Sequence, residues 1–182
     1  MVDIILNQAP GELPFALHIV EDAVFAAIAS IGFASISHTP QRTYILCALA
    51  AALGHALRFI LMNGDFFHLD IVLASSIAAF VIGVIAVVCS PTVKVPAEAC
   101  LFPALLPMIP GMYAYRTVEA LVCFLRTSTE ELASHYLYLL GYNGFTCAGL
   151  LLGMVIGANI PIFMLKHISF QATRYLSFYV GP

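Results

Sequence analysis

The chain has 182 residues, of which 62% are hydrophobic and 9% charged, and its formal net charge is −3. Soluble domains average about 25% charged residues, and one this small needs a polar surface over its core, so the composition excludes a soluble protein. The negative balance offers no basic face and excludes nucleic acid as a partner.

The first 14 residues carry Asp3 and Glu12 but no Lys or Arg. They lack the charged start of a signal peptide, so the apolar segment after them is expected to stay in the mature protein. A hydrocarbon core of ~30 Å takes about 20 residues of apolar helix. Four stretches meet this plainly: Phe15–Ser37, Thr43–Met62, Leu69–Cys89 and Tyr142–Leu165. A fifth, from about Ala97 to Leu125, contains Pro103, Pro107, Pro110 and Gly111. The connections HTPQR (38–42), NGDFFH (63–68) and SPTVKVP (90–96) hold the breakers. From Arg126 the chain reads RTSTEELASHYLYLLG, a capped amphipathic start expected to lie at the interface before the last span. The expected fold is an all-α integral membrane protein of about five transmembrane helices, the fourth broken by its Pro/Gly cluster. It forms a single helical domain over residues 15–165, between an N-terminal arm (1–14) and a C-terminal tail (166–182).

Lys and Arg mark the cytoplasmic side of a membrane protein. Arg42, Lys94, Lys166 and Arg174 fall in the first loop, the third loop and the tail, with Arg126 at a span edge as the exception. They share one side if the Pro-rich segment crosses once, giving five crossings with the C-terminus in the cytoplasm. A re-entrant Pro-rich segment would reverse the C-terminus.

Several polar groups lie inside these spans. His55 and Arg58 share a helix face. Either Arg58 snorkels to the headgroups and His55 bonds a neighbour, or the two face a cavity, with His55 as a proton carrier and Arg58 as a fork for a carboxylate. His18, Glu21 and Asp22 also share a face. They read as acids near a helix start, or as a proton acceptor or partner for Arg58 or Arg116. Arg116 and Glu119 stand three apart and are able to pair.

Proline costs ~3 kcal/mol or more inside a helix, so Pro107, Pro110 and Gly111 predict a break. In lipid a break is tolerated where protein packs on it or where it lines a water-filled cavity. Broken helices form the sites of many secondary transporters, which points to the amides of Met112, Tyr113 and Ala114, to Tyr113 and Tyr115, and to Arg116. Gly149, Gly153 and Gly157 recur every four residues. They form a close-packing face, used within the chain or between subunits. The five cysteines are scattered singly, so no metal or cofactor is expected, and no catalytic motif such as H-E-x-x-H or G-x-S-x-G is present.

Gly54, His55, Arg58, Phe59, Leu61 and Met62, followed by PALLPMIPGMYAY (Pro103 to Tyr115), resemble the threonine/serine exporter family in its C-terminal half-domain. In many bacteria this half is a separate small membrane subunit. Asp22 to Ala34, with Pro40 and Arg42, are similar to the same subunit, and the resemblance covers residues 18–165. His55, Arg58, Pro107, Pro110, Gly111 and Tyr115 match its motifs. The resemblance implies a proton-motive-force-driven exporter of small polar metabolites in the bacterial inner membrane: threonine and serine, or succinate in two-subunit members. It also implies a larger partner subunit carrying the N-terminal half-domain. A homo-oligomer remains open, as does the alternative of a structural or assembly subunit without its own transport site.

Overall fold

The computed structural model describes residues 15–64 and 68–165. The N-terminal arm, residues 65–67 with the acidic Asp65, and the tail with Lys166 and Arg174 lie outside the described residues. The described chain forms helices α1 (Phe15–Ile36), α2 (Tyr44–Asn63), α3 (Ile71–Val93), α4 (Ala97–Leu105), α5 (Gly111–Arg126) and α6 (Glu130–Met164). Short 3₁₀ turns, Gln41–Thr43 and Leu106–Met108, precede α2 and follow α4. Four helices are long and apolar enough to cross a membrane, and α4 with α5 makes a fifth candidate, bent by 53°.

The core is made of small side chains. Ala34, Cys47, Ala50, Ala51, Ala78, Ala79, Ala86, Ala97, Cys100 and Ala104 are buried, with Ile82 and Met108 among the few large ones. Large apolar residues such as Ile36, Ile45 and Phe145 face outward. This suits a solvent that supplies no hydrophobic drive between helices, where close van der Waals packing holds them together. Gly54 shows the principle, since a Cβ there would run into the Ile82 side chain and come within 3.8 Å of Met108 Sδ.

α1 and α2 form a hairpin, α4 packs against α1, α2 and α3, and α5 packs on α6. The most extensive packing joins α3 to α6, and glycines fix its direction. Gly149 faces Val72, Gly153 faces Ser76, Gly157 approaches the Ser76 backbone and Phe80, and a Cβ at Gly83 would stand 2.6 Å from the Ala158 carbonyl oxygen. Residue numbers rise together along both helices, so α3 and α6 run parallel. The chain between them must therefore return across the bundle once. A bend of 53° leaves α4 and α5 pointing in the same general sense, so the two helices together make that return.

Two local expectations are corrected. The last helix, expected from Tyr142, begins at Glu130 instead and runs as one 35-residue helix. Glycines 141 and 144 cost helix propensity, roughly 1 kcal/mol each, without stopping the ladder. The helix does start at Glu130, after Thr129, but no side-chain cap bond forms there.

The second correction concerns the break, where unpaired donors were expected. The Ile109 amide donates to the Leu106 carbonyl (3.1 Å), Gly111 to Ile109 (2.8 Å), and Ala114 to Pro110 (3.1 Å). Pro107 and Pro110 have no N–H to satisfy. The prolines thus interrupt the helix and remove donors that the interruption would have stranded. Ala114, expected to offer its amide to a ligand, uses it within the helix. The 3₁₀ turn is also covered by protein, since it packs on α1 and buries Met108.

Candidate functional site

The polar residues of the spans collect in two separate clefts. The first lies between α1 and α2, has a volume of about 450 Å³, and is lined by His18, Glu21, Asp22 and Arg58 with Phe25, Phe59, Met62 and Asn63. At its base, His55 Nδ1 lies 3.1 Å from Asp22 Oδ2. His55 is buried at 5% exposure, in the middle third of α2. A carboxylate only accepts, so Nδ1 carries the hydrogen and donates it to Asp22. His55 Nε2 is buried with no hydrogen-bond partner among the described residues. In the neutral ring this nitrogen is a bare lone pair, and protonating it produces an imidazolium already beside its counter-ion.

Asp22 therefore pairs with His55, not with Arg58 or Arg116 as the sequence allowed. Arg58 forms no ion pair among the described residues. Glu21 lies 3.8 Å from His18 Nδ1, and both side chains are about half exposed. Phe15 and Phe59, with ring centroids 5.4 Å apart, close the end of the hairpin.

The second cleft, about 460 Å³, lies between α5 and α6. Arg116, Glu119 and Cys123 line it from α5, and Tyr136, Tyr142 and Asn143 from α6. Arg116 and Glu119 share the helix face expected of them, yet no ion pair joins them among the described residues. Both side chains are exposed. Asn143, 5% exposed, uses its Nδ2 on the Leu139 carbonyl at 2.8 Å, which aligns the side chain along α6.

The remaining candidates fall outside both clefts. Pro107 lies in the 3₁₀ turn, Pro110 is buried at the N-cap of α5, and Gly111 has open space where a Cβ would stand. Tyr113 is half-buried and its carbonyl accepts the Thr117 hydroxyl at 2.7 Å. Tyr115 is exposed. The two clefts share no lining residue, so His55 with Arg58 and Arg116 with Glu119 are not brought together. Tyr136, Tyr142 and Asn143 were missed by sequence reasoning, because the pairing of α5 with α6 is not a local pattern. An asparagine inside an apolar span was the signal that could have found them.

The family profile described as Threonine/Serine exporter, ThrE, matches residues 22–164, from Asp22 to the last residue of α6. The chain belongs to the threonine/serine exporter family. An exporter of this kind moves small polar metabolites across a membrane, and the multi-pass helical fold agrees with that. The profile is that of a half-domain of the family, which fits a partner bearing the other half. An uncharacterized protein of Haemophilus influenzae is 36% identical over 108 residues, covering 59% of this chain. The matched stretch spans 35% of that relative's length. No solved structure matches.

Proposed function

We propose that this chain is the small subunit of a two-component secondary exporter in the bacterial inner membrane, driven by the proton-motive force. Its partner is a larger membrane subunit carrying the other half of the transporter. The observation that carries this reading is the Asp22–His55 pair, whose imidazole is buried with its Nε2 unpartnered among the described residues. Ionisable groups inside a membrane are costly and are retained for ion or substrate pathways, and a family of exporters gives such a pair a proton to carry.

The substrate binds in the other cleft. Arg116 attracts its carboxylate, Glu119 stands ready for an ammonium, and the tyrosine hydroxyls and Asn143 supply neutral hydrogen bonds. One cation beside one anion favours the zwitterions threonine and serine over a dicarboxylate such as succinate, which would need two cations. Arg58, in the first cleft, tunes the charge around Asp22 and is not a substrate ligand.

The test is metabolite release from cells lacking the gene, complemented with wild type, Arg116→Ala or His55→Ala at matched membrane abundance, with and without the partner subunit. Both variants are expected to lose threonine and serine export. Wild-type flux in both would remove these residues from the mechanism.

A further inference from the structure

The contacts between α3 and α6 fix how far α6 reaches past the other spans. α3 runs from Ile71 to Val93, ~34 Å of helix, which by itself crosses a hydrocarbon core of ~30 Å. Asp70, exposed at the N-cap of α3, marks one edge of that core. Gly149 of α6 stands beside Val72, the second residue of α3, just inside the edge. From Phe145 to Met164 α6 has no charged residue and is ~30 Å long, so this stretch is its membrane span. Residues 130–144 precede it and carry the helix ~22 Å further, beyond the edge.

α5 accompanies this overhang. Thr117 packs on Gly144, and among the described elements α5 packs extensively on α6 alone. Glu119, Arg126, Glu130, Glu131 and His135 all belong to the resulting hairpin, and all are exposed. So many ionisable groups are costly in hydrocarbon and ordinary in water, which places the hairpin outside the core. The α5–α6 cleft lies within it, because Tyr136, Leu139, Tyr142 and Asn143 all come before Phe145. The exposed apolar residues of α5, Val118, Leu121, Val122 and Leu125, line no part of the cleft.

The opposite end of the bundle gives the side. Arg42 donates to the Lys94 carbonyl at 3.1 Å, so the two cationic loops meet there, and that end is cytoplasmic. The hairpin stands at the other end, where α1 begins, α2 finishes and α3 begins. The first cleft lies toward the same end, since His18 and Glu21 line it from the start of α1 and Met62 and Asn63 from the end of α2. An exporter driven by proton entry takes up its proton on the side where it lets go of its substrate. Both clefts lie toward that side.

We infer that the α5–α6 cleft is an amino-acid site on the non-cytoplasmic face, at the exit of the export path. Threonine or serine leaves from it, and the same amino acids in the outside medium occupy it in return. The ligand class rests on the zwitterion reading of Arg116 and Glu119 given above, while the side rests on the overhang of α6 and the cationic loops alone.

Cys123 lines the cleft and is part-exposed, so it serves as a native reporter. The test uses membrane vesicles, right-side-out or inside-out, from cells producing the chain with its partner subunit, and a membrane-impermeant sulfonated maleimide. Cys123 is expected to react several-fold faster in right-side-out vesicles, and Cys123→Ser identifies the adduct by its loss. Ser128→Cys, at the exposed turn between α5 and α6, should react from the same side. Gln41→Cys, exposed beside the cationic loops, should react from the opposite one. Threonine outside should slow Cys123 labelling several-fold where succinate does not. Faster labelling of Cys123 or of Ser128→Cys in inside-out vesicles overturns the inference, as does a Cys123 that reacts only after denaturation. Labelling from outside that threonine fails to slow leaves the position of the hairpin standing and removes the zwitterion reading of the cleft.

Discussion

Gly157→Ala is the sharpest probe of the helix packing. Within an exposed helix the change from Gly to Ala stabilises by ~1 kcal/mol. At Gly157 the new Cβ would meet the Ser76 carbonyl oxygen, with Ser76 C at 3.3 Å and Phe80 N at 3.4 Å. These obstacles are backbone and cannot rotate away, so the overpacking cost belongs at the upper end of the usual ~1–3 kcal/mol. The expected net loss is about 2 kcal/mol. For a chain of this size each kcal/mol shifts the melting temperature by ~2–4 °C, so Tm should fall by about 4–8 °C in detergent, read by thermal unfolding with size-exclusion detection. The same stripe contains its own control. At Gly149 the nearest atoms are Val72 methyls at 3.6 and 3.7 Å, ordinary contacts, so Gly149→Ala keeps its helix gain and Tm should rise by ~2–4 °C. Gly153 is intermediate, since its obstacle is the Ser76 hydroxyl, tied to the Val72 carbonyl at 2.6 Å. If Gly157→Ala and Gly149→Ala shift Tm equally, the α3–α6 packing described above is wrong.

Asp22→Ala leaves the buried His55 Nδ1–H without its acceptor and should cost ~1–3 kcal/mol, visible as a Tm loss that His55→Ala in the same background does not deepen. His55→Asn preserves a donor near the Nδ1 position but has nothing to accept a second proton, so membrane abundance should hold while proton-coupled export disappears; export at the wild-type rate would exclude His55 as the carrier. Glu119→Gln should weaken export of threonine much more than that of succinate, measured as competing effluxes from one strain, and an equal loss of both would count against a zwitterion site. Topology reporters fused at the two ends should report opposite sides of the membrane, the cytoplasm holding the end after Pro182, and the same side for both would refute the single crossing of α4 and α5.

Much of this architecture was legible because bilayer thickness imposes a length on every span, and four apolar stretches of that length stand out unaided. The Pro/Gly break at 107–111 was equally plain. Its hydrogen bonding was not, because the tight turns at Ile109 and Gly111 depend on where the chain goes next. Thr129 and Glu130 marked the start of α6, but the sequence contains no mark that would join this start to the last span. Continuity is the absence of a breaker, and two glycines resembled one. The Asp22–His55 pair illustrates the general limit. Each residue was visible on its own helix face, while their meeting depends on the offset of two helices sliding along each other, which small-residue packing sets. Arg116 and Glu119 carried the opposite problem: their spacing suggested mutual neutralisation, and the rotamers that prevent it leave no trace in sequence.

The parallel course of α3 and α6 has an arithmetic consequence. With the bent α4–α5 pair taken as one span, the candidate spans number five, which is odd. A unit with odd parity delivers its chain to the far side of the membrane. Any like unit joined directly behind it would thread the bilayer upside down. A partner on a separate chain, as proposed above, would escape that parity and insert in whichever orientation its own charges dictate.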